Sequence, residues 1–282
     1  MISQKATPSG GPSMLQHDAG ISRLGRRHRW WSAAQQRART LAVQAVFVGV
    51  VVLLWWYYSR EGRVSPILLP KVEKVWDIFP DIVTQERTYD ALWLTLREIL
   101  GAAAVSAGIG LTVGMCAGRT RYGTRLVEPL LVWMQTIPII LLYPVCVLIF
   151  GLGVESKIAF AGIYGLFPVA LNTTRGLNTV DQRYCQAAAS MGASRWQLLW
   201  RVQLPAARPM ILSGLRLGAA LNLTGVLAGE ILASIGGLGF LISQAAATFQ
   251  IAELYAYIII ALVLVLCFNA VVTRAEERQV VK

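Results

Sequence analysis

The chain has 282 residues, of which 55% are apolar and only 15% charged, and its formal net charge is +11. The charges avoid several segments of about eighteen residues or more, which excludes an ordinary soluble domain and indicates an all-α, polytopic membrane protein with about six spans. The basic balance does not call for nucleic acid, because eighteen of the 26 Lys and Arg fall in segments expected on one side of the membrane. Six, Lys157 among them, fall on the other side, and Arg97 and Arg216 lie within spans. This is the distribution of the positive-inside rule.

In chain order, residues 1–40 form a basic tail with Arg23, Arg26, Arg27, Arg29, Arg37 and Arg39, rich in Ser, Gly and Gln. It is predicted to be largely disordered and to anchor on anionic lipid. Arg26-Arg27 resembles a twin-arginine export signal, but the apolar run that follows is long and ends in aromatics rather than a small-residue cleavage site, so it reads as an uncleaved span. That first span, 41–59, is framed by Trp30-Trp31 and Trp55-Trp56-Tyr57-Tyr58, about 24 residues or roughly 36 Å apart along a helix, as suits aromatic belts. Residues 60–90 form an external segment in which Val72, Val75, Trp76 and Phe79 follow helical spacing among charged neighbours, predicting a short amphipathic helix. Such a helix serves either a substrate-delivering protein or simply the ends of the spans.

Further spans are predicted at 91–117, 126–150, 157–174, 209–234 and 253–273, followed by a C-terminal tail, 274–282. An even number of spans with this charge bias puts both termini in the cytoplasm. Ala102, Ser106, Gly110, Gly114 and Gly118 give the second span one face nearly bare of side chains, suited to close packing within the subunit. Glu128-Pro129 is expected to open the third span, and Pro138 and Pro144 to kink it. Gln135, Thr136, Asn172, Asn222 and Glu230 are polar at membrane depth, and either line a solute path or make interhelical hydrogen bonds. Residues 235–250, with Gly236, Gly237 and Gly239, suggest a re-entrant or interfacial turn. Cys116, Cys146, Cys185 and Cys267 share no metal-ligand spacing and read as packing residues.

The loop 175–208 is the most distinctive stretch. Asp181 is placed to cap a first short helix, Gly192 to end it in a left-handed turn, and Ser194 with Gln197 to form a capping box for a second helix that Pro205 would stop. It reads Gln186-Ala187-Ala188, three residues, Gly192, nine residues, Val202-x-Leu204-Pro205. This resembles the coupling loop of the membrane subunits of bacterial ATP-binding-cassette importers, with Gln in place of the pattern's Glu and Val in place of Ile. Thr136-Ile137-Pro138, Pro144, Phe150-Gly151-Leu152-Gly153, Phe167-Pro168 with Asn172-Thr173, Gly229-Glu230 and Gly237-Leu238-Gly239 are similar to the branch that carries nitrate, taurine and aliphatic sulfonates. The likeness runs from about Ser65 to Arg278.

The resemblance implies the type I importer permease fold in a bacterial inner membrane, with domain 91–273 as the permease proper. It implies a cytoplasmic ATPase dimer docked on the loop, a second copy of the chain or a similar permease, and a periplasmic or lipid-anchored solute-binding protein. ATP and Mg would then sit on the ATPase, with no cofactor or metal on this chain. Arg183, Arg195 and Arg201 are candidate ATPase contacts, though the inside rule alone would place them there. Independently, no Gly-x4-Gly-Lys-Ser/Thr loop occurs, the only histidines are His17 and His28, and no nucleophile has a base, so no enzyme is expected. The competing class is an ATP-independent secondary transporter or channel, with Glu230 as its main candidate coupling acid.

Overall fold

The computed structural model describes residues 42–44, 46–60, 64, 65 and 68–280, with the side chains of 277–280 left out. The predicted tail, 1–40, lies outside the described residues. The chain divides into two units, residues 1–69 and 70–282. In the first, helix α1, Ala42–Arg60, has 19 residues at mean hydropathy 1.7, about 28 Å and enough for one crossing.

The second unit is helical throughout its described residues: α2 Val72–Thr84, α3 Glu86–Gly118, α4 Arg121–Thr136, α5 Tyr143–Phe150, α6 Val154–Asn178, α7 Gln182–Ser190, α8 Arg195–Leu198, α9 Leu204–Leu232, α10 Leu238–Ala247 and α11 Ile251–Val280. With α1, five helices are long and apolar enough to cross a membrane, or six if one bent pair counts as a span. α2 forms where a short helix was expected, with Val75 and Ile82 buried, but Trp76, which the spacing put on the apolar face with Val75, is 72% exposed.

α6 is the central helix, gripped between α3 and α9, and Phe160, Ala161, Val169 and Ala170 along it are buried. Small residues make this approach close. A Cβ on Gly114 of α3 would lie 2.5 Å from the Thr173 side chain, and one on Gly218 of α9 would lie 2.8 Å from the Gly165 carbonyl. In lipid, where no hydrophobic drive separates helix from solvent, such backbone proximity supplies the van der Waals contact that holds helices together. The small face of α3 is therefore used inside the subunit, as its spacing suggested.

The third span departs from the expected 126–150. α4 begins at Arg121, capped by Thr120, whose hydroxyl accepts from the Gly123 amide at 3.0 Å. Glu128 is thus in mid-helix, where it pairs with Arg175 of α6 at 2.7 Å instead of complementing a helix start. The residue before a proline is driven out of the α region, and Ile137, extended at φ −68° and ψ 130°, ends α4 just ahead of Pro138. A 3-10 turn, Ile139–Leu142, leads into α5, and the two arms meet at 84°. The prolines bend the span as expected, but far beyond a kink.

Residues 238–247 form a short apolar helix, α10, entered through Gly237 at φ 100°. At 10 residues, about 15 Å, it is too short to span.

Candidate functional site

The loop between α6 and α9 is built as its residues dictate. The Asp181 side chain accepts from the Arg183 amide at 2.9 Å and starts α7. At the far end Gly192 adopts φ 82°. Its amide donates to Ala189 O at 2.9 Å, and the Ala193 amide donates to Ala188 O at 3.1 Å. These two bonds complete a Schellman turn, which satisfies carbonyls that the helix end would otherwise orphan. The capping box follows: the Gln197 amide donates to Ser194 Oγ at 3.3 Å, and the Ser194 amide to Gln197 Oε1 at 2.8 Å.

Pro205 does not stop the second helix. α8 continues through a π-helical segment, Leu199–Gln203, straight into α9, giving one 38-residue rod, Arg195–Leu232. In regular α winding the Pro205 ring would press on the carbonyl four residues back; the wider π turn relieves that clash, and the missing amide costs nothing at the first turn beyond it. Leu199 roots the rod by packing with Leu177 and Ala207, all three buried, beside Met115 and Ile211.

The loop residues singled out by sequence take distinct places. Gln186 and Ala187 are exposed, Ala188 is buried, Val202 and Leu204 are half-buried, and Pro205 is exposed. Arg183, Arg195 and Arg201 all face outward. Sequence reasoning passed over the apolar side chains on the same surface: Tyr184, Met191, Trp196 and Trp200 are each more than half exposed. Large apolar groups on a polar loop mark a contact surface, and the signal was present in the Trp196/Trp200 pair at i, i+4. Arg119 lies over the Trp196 ring at 4.9 Å. Beside it a cavity of about 610 Å³ is lined by Cys116, Arg119, Thr120, Arg195, Leu198 and Gln203.

The membrane-depth polar residues do not converge. Gln135 and Thr136 are exposed at the end of α4, on the bend. Asn172 is half-buried and donates to Pro168 O of its own helix at 2.8 Å. Asn222 is fully buried, donates to Ser106 Oγ at 2.7 Å and lines a cavity of about 270 Å³ between α3, α9 and α11. Glu230 is also buried, its carboxylate accepting from Thr95 Oγ1 at 2.7 Å and from the Gly239 amide at 2.8 Å.

A second charged pair sits beside Glu230. Lys157, counted from sequence among the external charges, is 1% exposed; its Nζ lies 2.6 Å from Glu98 Oε1 and donates to Ser234 Oγ at 2.8 Å. Glu98, which the sequence did not single out, is fully buried. Its neighbours Arg97 and Leu100 face out, so only the helical phase of α3, invisible without its partner helices, decides that Glu98 points in.

Among the described residues, then, the protein is all-helical, with several helices apolar enough to cross a membrane and a capped helical hairpin between two of them, its rim exposed and its root packed on both. Residues 108–279 match the family described as binding-protein-dependent transport system inner membrane component. The chain is 32% identical over 226 residues to the taurine transport system permease protein TauC of Escherichia coli (strain K12), covering 78% of this chain and 81% of that protein. It is 28% identical over 211 residues to the putative aliphatic sulfonates transport permease protein SsuC of Bacillus subtilis (strain 168), covering 75% and 76%. A solved inward-facing structure of the MetNI methionine ABC transporter superposes with a TM-score of 0.61 at 20% identity, over 68% of this chain and 95% of that one. The chain belongs to the family of inner membrane components of binding-protein-dependent transport systems and is a permease subunit of the ATP-binding-cassette importer class.

Proposed function

We propose that this chain forms, with a second copy or a similar subunit, the path for a small anionic solute of the sulfonate or taurine kind, and that a separate ATPase drives it by docking on residues 181–205. The observation that carries this reading is the rigid hairpin: its Gln186–Ala187 rim and aromatic residues are exposed, while its root is one rod with α9. A groove closing on α7 and α8 would move a lever rather than a flexible tether. Gln135 and Thr136, exposed at the bend between α4 and α5, are the polar groups best placed to meet solute. The charge bias supports cytoplasmic termini and a cytoplasmic hairpin. Solute would then arrive at the opposite end from a binding protein outside, and ATP and Mg would be held by the ATPase alone.

The test is to tag the chain, purify it gently from its native membrane, and look for a co-purifying phosphate-loop ATPase, with Gly192→Asp as control. An ATPase present with the parent and lost with the variant supports both the reading and the docking site. Absence from both folded proteins would overturn it and favour ion-gradient transport, which uptake of labelled taurine under a collapsed proton gradient then checks.

A further inference from the structure

The charged cluster ties four elements together at the end of the bundle away from the hairpin. α3 contributes Thr95 and Glu98, α6 contributes Lys157, α9 contributes Glu230, and the turn into α10 contributes Ser234 and the amides of Leu238 and Gly239. Every side chain that α3, α6 and α9 give to it is at most 1% exposed. The turn between α9 and α10 is held on both flanks. On one side Lys157 donates to Ser234 Oγ, which donates on to Gly236 O at 2.6 Å. On the other, the Leu238 amide donates to Thr95 Oγ1 at 2.9 Å, and the Gly239 amide to Glu230. Tyr143 of α5 adds a hydrogen bond to Ala233 O. Space is equally constrained, because a Cβ on Gly237 would come within 2.0 Å of the Glu230 carboxylate.

A buried ion pair is weak evidence for stability, since taking both charges out of water offsets their attraction. Glu98 receives no aligned hydrogen bond on either oxygen, so Lys157 is its compensating partner. What the pair does achieve is direction: an ammonium on a flexible four-carbon stem is held at one point, where it can donate to Ser234. We infer that Glu98 is a positioning residue of the outer closure, fixing Lys157 so that the Ala233–Gly239 turn stays locked across α3, α6 and α9 until the rod Arg195–Leu232 moves. This rests on the permease reading above, in which the end of the bundle away from the hairpin is the outer one; what is added is that the turn closes the path there while solute and ATP are absent.

The experiment uses the complete transporter, this chain with its ATPase, in lipid nanodiscs without nucleotide or binding protein. Hydrogen exchange is followed in peptides covering residues 234–241, together with thermal stability and ATPase rate. Two variants are compared with the parent. In Glu98→Leu/Lys157→Met both charges are replaced by apolar groups of similar size, so that neither partner of the pair is left as an orphaned buried charge and Glu230 keeps its bonds from Thr95 and Gly239. In Ser234→Ala the ion pair stays, while the acceptor for Lys157 and the bonds of Ser234 with Gly236 are lost. The expected result is parent-like thermal stability in both, exchange at Leu238 and Gly239 faster by about tenfold or more, as befits one lost charge-assisted hydrogen bond, and a raised ATPase rate without binding protein. Parent-like exchange in Ser234→Ala overturns the proposal, as does full protection in the double variant. Should the double variant not fold, Glu98→Gln, which loosens the hold on Lys157 and leaves the bonds of Ser234 with Gly236 in place, decides in its stead, parent-like exchange again overturning the proposal. Absence of any associated ATPase would count against the permease reading, while the exchange measurement would still test the lock.

Discussion

An added Cβ at Gly192 would meet nothing within 4 Å, so what this residue supplies is its φ of 82° and a bare surface, not room inside the fold. A left-handed residue other than Gly costs about 1–2 kcal/mol, and Asp tolerates the conformation better than most. Gly192→Asp is therefore expected to fold and insert normally while losing bound ATPase, as a pull-down reads directly; full ATPase retention would refute the docking site. Gln186 is exposed and keeps the shape of a Glu without its charge. Gln186→Glu is expected to be tolerated and to bind the ATPase as well as the parent or better, because a charge-assisted hydrogen bond is roughly twice as strong as a neutral one. These residues were legible because caps and turns are local chemistry: Asp181, Gly192, Ser194 and Gln197 each do what their own sequence neighbourhood dictates. Glu98 and Lys157 were not legible, since their burial depends on two helices 59 positions apart meeting in a particular phase.

At the scale of elements, the same contrast separates breaks from pairings. Pro138 announced the bend between α4 and α5, whereas the early start of α4 at Arg121 depended on the Thr120 cap, which an apolar-run criterion does not weigh. That shift gives Glu128 its partner. Arg175 closes α6 just before the hairpin, so the Glu128–Arg175 pair links the arm of the bent span to the loop. With side chains 30% and 42% exposed, the pair is worth only about 0.3–1 kcal/mol of stability. A double-mutant cycle of Glu128→Gln and Arg175→Gln should return a coupling of that size in thermal unfolding. A coupling near zero would mean that the contact holds nothing together. Pro205 was misread for a related reason: a proline stops a regular helix, but a π segment ahead of it lets the helix pass.

For the whole molecule, the five or six crossings and the all-helical class followed from composition and the length of apolar runs, because the bilayer enforces both. Which helix lies at the centre did not. α6 is buried over 61% of its apolar window against 22% for α11, yet α11 is the more hydrophobic of the two, so hydropathy ranks them in the wrong order. In a membrane it is small residues, not apolar ones, that mark the inside. A single such unit presents its bend, with Gln135 and Thr136, on an open face. The purified assembly is accordingly expected to contain two permease subunits and two ATPases by native mass spectrometry. A one-to-one complex would contradict the shared path.

The π segment Leu199–Gln203 carries a consequence for phase. A π turn amounts to one residue inserted into an α-helix, and each residue of an α-helix advances the side chains by about 100°. Deleting a single residue there together with Pro205→Ala, which removes the ring that regular winding would not accommodate, would leave α8 and α9 helical and continuous, but would turn Trp196 and the Schellman corner by about 100° around the rod axis. Such a protein is expected to reach the membrane, resist heat like the parent and bind no ATPase, its hairpin intact and aimed in the wrong direction. The hairpin's compass bearing is thus set by a defect in winding five residues long.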